Sequence, residues 1–261
     1  MMQVRNWKDF AKKIRPRGCN LLKCLDEFPN AILVAGCQRS GTTILSRIIT
    51  QSEGMTNYWF GEDDELDAAL ILGGIVEHHP HGRYCFQTTY LNDCYQEYYQ
   101  HRNSNHKIIF MLRNPYSVVY SMVYNWKRFA LNQLFIRCAL PHLNNKTLSI
   151  YNMFGTIALP MIIKACYSYV GKVSQAFELR EVFNDDEICF VEYDLLIKEK
   201  HSILPMIYNF IDLPYDAHYA EKLSSRSISK ADRLPMKAKK KIDEICLPIY
   251  ERAIKLVHHF Q

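Results

Sequence analysis

A chain of 261 residues and 30.7 kDa is long enough for one large domain or two small ones, and one is the simpler fit. Hydrophobic residues at 48% and charged residues at 23% are globular values, and only 10 Gly and 10 Pro exclude collagen-like and low-complexity chains. Thirty-two Lys and Arg against 27 Asp and Glu leave +5, a surplus that suits a small anionic ligand and falls short of a nucleic-acid-binding surface.

From the N-terminus, MMQVRNWKDFAKKIRPRG carries charges throughout and lacks the apolar segment of a secretory signal. Ala31 to Gly36 is a short apolar run bounded by Pro29, which predicts a strand buried on both faces of a parallel sheet. Thr42 to Gln51 places Ile44, Leu45, Ile48 and Ile49 on one helical face. Arg83 to Phe86 reads as a further strand. Lys107 to Leu112 is another buried strand, and Pro115 then stands in the first turn of a helix. Residues 128 to 180 read as mostly helical. Glu187 to Val191 is a strand followed by an amphipathic stretch ending near Phe210, and Lys237 to His259 is a closing helix that Pro248 kinks or splits. Strands alternating with helices predict a single α/β domain over 1–261, with its core at about 28–258. The sheet is doubly wound and parallel, with helices on both faces and ligands at the carboxyl ends of the strands.

The nine cysteines are scattered without a CxxC pair, which predicts reduced, mostly buried thiols and no metal site. The His78-His79-Pro80-His81 cluster lacks helical ligand spacing and reads as a surface loop. Ile157 to Val170, the greasiest stretch, is interrupted by Pro160 and Lys164 and is too short to span a bilayer. A cytoplasmic chain with no transmembrane segment is expected.

Between the first strand and its helix lies Gly36-Cys37-Gln38-Arg39-Ser40-Gly41-Thr42-Thr43, with the GxxxxG spacing of a phosphate loop but Thr42 where a Walker loop has Lys. Backbone N–H groups, hydroxyls and a helix N-terminus still suit an anion. Alone, the segment reads equally as a capped strand-to-helix turn. The strand from Lys107 to Leu112 is followed by Arg113-Asn114-Pro115, with Ser121 eight residues beyond Arg113, so a guanidinium and a hydroxyl two helical turns on can converge on one phosphate.

With these motifs the sequence resembles the sulfotransferases that use 3′-phosphoadenosine-5′-phosphosulfate (PAPS). Arg39-Ser-Gly-Thr-Thr is similar to their P-loop-like 5′-phosphosulfate loop, and Arg113-Asn-Pro with Ser121 to their 3′-phosphate motif. Phe190-Val-Glu-Tyr-Asp-Leu195 and the later ILPMIYNFIDLP are similar to segments that follow. The resemblance implies metal-free sulfuryl transfer from PAPS to an acceptor hydroxyl or amine. Arg39, Ser40, Gly41, Thr42 and Thr43 would hold the 5′-phosphosulfate, Arg113 and Ser121 the 3′-phosphate, and Tyr193 the adenosine. Ser229 and Lys230, in a segment similar to a late cofactor-covering loop, would close the site.

The acceptor side departs from the family. Gln87 stands where a Lys is expected and Thr89 where cytosolic members place a catalytic His. The tyrosylprotein sulfotransferases carry a Gly-Glu-Glu segment after the phosphosulfate loop, and Gly61-Glu62-Asp63 lies at a similar offset. That match implies Asp63 as the base, with Glu62 beside it. The same cluster would equally stabilise a helix N-terminus. Lys127, or Arg128 next to it, resembles a Lys that assists the leaving phosphate. The acceptor, whether small molecule, sugar, lipid or peptide, is left open. A Mg²⁺-dependent P-loop kinase and a PAPS-binding adaptor with decayed catalytic groups are the competing readings.

Overall fold

The computed structural model describes residues 4–224 and 231–257. The apolar runs form four parallel strands, β1 Ile32–Gly36, β2 Cys85–Gln87, β3 Lys107–Leu112 and β4 Ile188–Glu192, in the order β2-β1-β3-β4. Their continuous hydrophobicity follows from cover on both sides. Leu33, Ala35, Phe86, Phe110 and Phe190 enter one core, and Ile32, Val34, Ile109, Met111 and Val191 the other.

The helices are α1 Trp7–Lys13, α2 Thr42–Thr50, α3 Asp64–Leu72, α4 Glu97–Gln100, α5 Pro115–Tyr124, α6 Arg128–Leu134, α7 Asn145–Phe154 and α8 Met161–Val182. Beyond β4 come α9 Tyr193–Lys198, α10 Lys200–Phe210, α11 His218–Glu221, α12 Met236–Ile245 and α13 Leu247–Ala253. Apolar residues of α1, α3, α5 and α8 fill the first core, and those of α2, α9, α10 and α11 the second. The doubly wound parallel expectation therefore holds. The amphipathic stretch after β4 is two helices, α9 and α10, and Pro248 stands in the first turn of α13, so the closing helix is split rather than kinked.

One expectation is corrected. Cys19 and Cys94, 75 residues apart, form a disulfide that ties the N-terminal segment to the chain after β2. Sequence spacing carries no trace of a pairing that only the tertiary fold creates. The other seven cysteines are unpaired, and six of them are buried. Among the described residues, the one cluster with metal-ligand geometry is Cys19, Cys94 and Glu97, whose two sulfurs the disulfide consumes.

The strand order fixes where a ligand can sit. The chain leaves β1 toward β2 on one side and returns to β3 on the other, so the loops after β1 and β3 diverge at their carboxyl ends and open a crevice.

Candidate active site

The loop after β1 is shaped by three residues with positive φ. Gly36 (φ 121) lies so close to β3 that an added Cβ would fall 2.3 Å from the Met111 carbonyl oxygen. Arg39 (φ 73) and Gly41 (φ 88) turn the chain into α2. No side chain caps α2, so its first-turn N–H groups remain available to an anion. The ring of Tyr193 lies against Gly41, where a Cβ would fall 2.0 Å from Cδ2.

The loop after β3 meets this one. Arg39 Nε donates to Ser121 Oγ at 2.9 Å, joining motifs 82 residues apart. Arg113 donates to the Arg39 carbonyl at 3.2 Å, pairs with Asp194 at 3.3 Å and stands 4.5 Å above the Tyr193 ring centroid. Asn114 caps α5 by accepting from Ser117 N at 2.9 Å, and its amide donates to Asp194. Burial first, then the nearby Arg113 guanidinium, lowers the pKa of Arg39. Its two outer nitrogens have no hydrogen-bond partner among the described residues. Two guanidiniums held together at a helix N-terminus are what a phosphate or sulfate group requires. Arg39, Gly41, Thr42, Thr43, Arg113, Ser121 and Tyr193 line one cleft of about 260 Å³, and the fully buried Ser40 supports it from within the loop. Seven of the cofactor residues expected from sequence thus share one surface. Ser229 and Lys230 lie outside the described residues.

A second cleft of about 370 Å³ shares Gln38, Arg39, Thr43, Glu65 and Trp126 with the first. Trp7, Phe10, Tyr90, Trp126 and Phe129 give it aromatic walls, and Arg15 and Arg137 add positive charge. Arg15 and Arg137 both pair with Asp93, at 3.2 and 2.8 Å.

The acidic segment lies along this second cleft and its members differ sharply. Asp63 is the N-cap of α3: Oδ1 accepts from Leu66 N at 3.1 Å and Oδ2 from the Trp7 indole at 2.8 Å. Asp64 is bound by Arg47 through two contacts, at 2.9 and 3.2 Å, and Asp67 accepts from Phe60 N and Gly61 N. Glu62 is exposed at the rim. Glu65 lines both clefts. Its Oε1 accepts from the Thr89 hydroxyl and its Oε2 from Gln87 Nε2 at 3.3 Å. Burial pushes its pKa up to about 8, against the opposing pull of the Thr89 hydrogen bond.

The sequence match singled out Asp63 by its offset and did not reach Glu65, because it left the helix boundary out of the comparison. The signal was present in Gln87 and Thr89, read as two losses, which together bind one carboxylate. Their strand end is clamped from behind, because Gln38 Nε2 and the buried Lys172 Nζ donate to the Thr89 carbonyl at 2.8 and 3.2 Å. Lys127 and Arg128 are exposed and line neither cleft, whereas their neighbour Trp126 lines both. His78 and His81 hydrogen-bond the Tyr84 hydroxyl and take no part in the site.

A doubly wound sheet with a Lys-free phosphate loop at its switch point and two guanidiniums beside it defines an enzyme that handles a phosphate or sulfate ester. The sulfotransferase-domain profile matches residues 29–245, and the chain belongs to that family of sulfuryl-transferring enzymes. Its fold is shared with the sulfotransferase domain of the curacin biosynthetic pathway (TM-score 0.52, 13% identity, 87% of this chain and 97% of that one). It is also shared with a sulfotransferase from Alicyclobacillus acidocaldarius (0.51, 15%, 89% and 97%). A third, mouse sulfotransferase SULT7A1 complexed with PAP, gives 0.50 at 16% identity over 90% and 93%. No curated protein matches the sequence.

Proposed function

We propose that this sulfotransferase takes its sulfuryl group from PAPS and transfers it to a small acceptor with an apolar or aromatic body, using Glu65 as the general base. The observation that carries the reading is the 2.9 Å bond from Arg39 to Ser121, which unites the two phosphate motifs in one cleft. PAPS, when bound, supplies the electrophilic sulfur and its phosphate leaving group. Arg39 and the N–H groups of α2 would hold the 5′ end, and Arg113, Ser121 and Tyr193 the 3′-phosphate and adenosine. Mouse SULT7A1, complexed with PAP, has the same fold. Glu65, common to both clefts, takes the acceptor proton as the oxygen attacks, with Thr89 and Gln87 holding the carboxylate in place.

Glu65 replaces Asp63 in this role because Glu65 lines both clefts, whereas Asp63 lines only the second and serves the α3 cap and the Trp7 indole. A carboxylate at the junction also weighs against the adaptor reading. The chemistry proposed needs no metal, since Arg39 and the α2 N–H groups supply the positive charge that a Walker loop draws from its Lys and ion. Labelled-PAPS turnover with a panel of phenols, alcohols and amines tests the reading, run with and without EDTA. Transfer insensitive to chelator is expected, whereas ATP turnover restored by Mg²⁺ would move the chain to the kinases. Cytoplasmic residence is proposed on the seven unpaired thiols, and the Cys19–Cys94 bridge is the observation against it. Alkylation of freshly lysed cells followed by mass spectrometry decides whether that bridge forms in place.

A further inference from the structure

We propose that the face built by α6, α7 and the turn into α8 docks on an anionic membrane surface. Residues 98 to 177 contain no Asp or Glu, yet they hold nine Lys and Arg, although acids and bases are nearly balanced over the chain as a whole. Much of that run is core, but its surface is distinctive. Of the nine large hydrophobic side chains exposed among the described residues, seven fall between 124 and 157. Met153, Phe154 and Ile157 are 68%, 61% and 83% exposed, and Tyr124, Phe129, Ile136 and Leu148 accompany them. The charged residues exposed between 124 and 160 are Lys127, Arg128 and Lys146, all positive.

The ten residues of α7 include none that is buried. Exposed aromatic and aliphatic groups mixed with cations and free of carboxylates match the boundary between lipid headgroups and acyl chains, which rewards both components. Acids border the run: Glu62 is exposed at the rim of the cleft that Trp126 and Phe129 line. Glu244 shares a hollow of about 330 Å³ with Lys146 but is paired with Lys241 at 2.6 Å, and Glu178 is held by the Tyr95 hydroxyl. Of the α12 lysines, Lys241 lines the same hollow, and Lys237 and Lys240 are exposed.

The attachment is interfacial. No single described helix is long and apolar enough to cross a membrane, the segments 145–157 and 161–182 meet at a 115° bend, and α8 spends its apolar residues on the core. The geometry also bears on the substrate. Trp126, Phe129, Ala130, Gln133, Leu134 and Arg137 line the acceptor cleft from this same segment, so docking brings the cleft to the lipid and favours membrane-partitioned acceptors. That consequence rests on the sulfotransferase reading above, whereas the docking does not.

The full chain, without nucleotide, is mixed with vesicles of phosphatidylcholine alone or with about 30% phosphatidylserine and floated on a density gradient. Recovery with the anionic vesicles at least tenfold above the neutral ones is expected, falling as salt rises from about 0.1 to about 0.5 M. The double variant F154E/I157E, and separately K146E, should lose that recovery with unchanged Tm, because all three side chains are exposed. Equal recovery with both vesicle types, none with either, or retention by F154E/I157E overturns the proposal. So does a wild-type dimer in light scattering that F154E/I157E converts to monomer, since the face would then belong to a second copy of the chain.

Discussion

Thr89 donates its hydroxyl hydrogen bond to Glu65 Oε1 across 24 residues of sequence, tying the chain just after β2 to the first turn of α3. In the proposed mechanism this carboxylate, steadied by a hydroxyl, is the base, and burial supplies the basicity by raising Glu65 to about 8. Glu65→Gln keeps the shape and removes the base, so kcat should fall by about 10²- to 10⁴-fold with cofactor affinity nearly unchanged. Protonated below about 8, Glu65 cannot accept a proton, so kcat/KM of the wild type should climb with pH through that value. A pH profile of Glu65→Gln that keeps the same climb removes Glu65 from the chemistry.

The same shift has a stability consequence. The unfolded carboxyl titrates near 4.5 and the folded one near 8, so between these values the native state holds the extra proton. Stability from this group is complete below pH 4.5 and is lost as pH rises through 8. Urea midpoints of wild type and Glu65→Gln measured across that window should converge at the acid end and separate at the alkaline end, with Gln the more stable.

Trp7 lies ahead of the matched family domain, yet its indole holds Asp63 at 2.8 Å and its ring forms a wall of the acceptor cleft. Trp7→Phe removes one hydrogen bond to a carboxylate and should raise the acceptor KM severalfold while leaving the PAP-induced rise in Tm intact. Asp63→Asn retains an N-cap and should cost less than tenfold in kcat. A hundredfold loss in Asp63→Asn, with Glu65→Gln active, would return the base to the residue expected from the acidic motif.

Arg113 carries the nucleotide specificity in this reading. Arg113→Ala should weaken PAP binding on the order of ten- to a hundredfold, the value of one charge-assisted contact of roughly 1.5 to 3 kcal/mol. PAP should raise the wild-type Tm far more than ATP does, because only the former presents a 3′-phosphate. Equal shifts with both nucleotides count against the assignment.

How far the sequence reached follows the range of the interactions involved. The strands at 32, 107 and 188 were legible because burial on both faces writes an unbroken apolar run, and the phosphate loops because their spacing is local. The proposed base was not legible, since Glu65 is held by Thr89 and Gln87 from another strand end and set by an α3 boundary that one residue moves. Nor was the Cys19–Cys94 bridge, which depends on how the N-terminal segment folds back. Lys127 illustrates the converse: a one-residue offset in the motif places Trp126, and not the cation, at the clefts.

Gly41 stands where backbone and ring leave no alternative residue. Its φ of 88° is open to glycine and strained for an L side chain. A methyl group there would fall 2.0 Å from Tyr193 Cδ2, so Gly41→Ala must displace the ring that Arg113 rests on at 4.5 Å. Strain and displacement together should cost about 1 to 3 kcal/mol of stability and more than tenfold in PAP affinity. Gly18 makes the control. Its φ of 93° and ψ of −167° are also strained for an L side chain, but an added Cβ meets nothing within 4 Å, so Gly18→Ala should lose stability through strain alone and keep its PAP affinity. Calorimetric titration of both variants with PAP separates the two effects. If Gly41→Ala binds PAP as tightly as Gly18→Ala does, the packing of Tyr193 on the loop is not what shapes the nucleotide site.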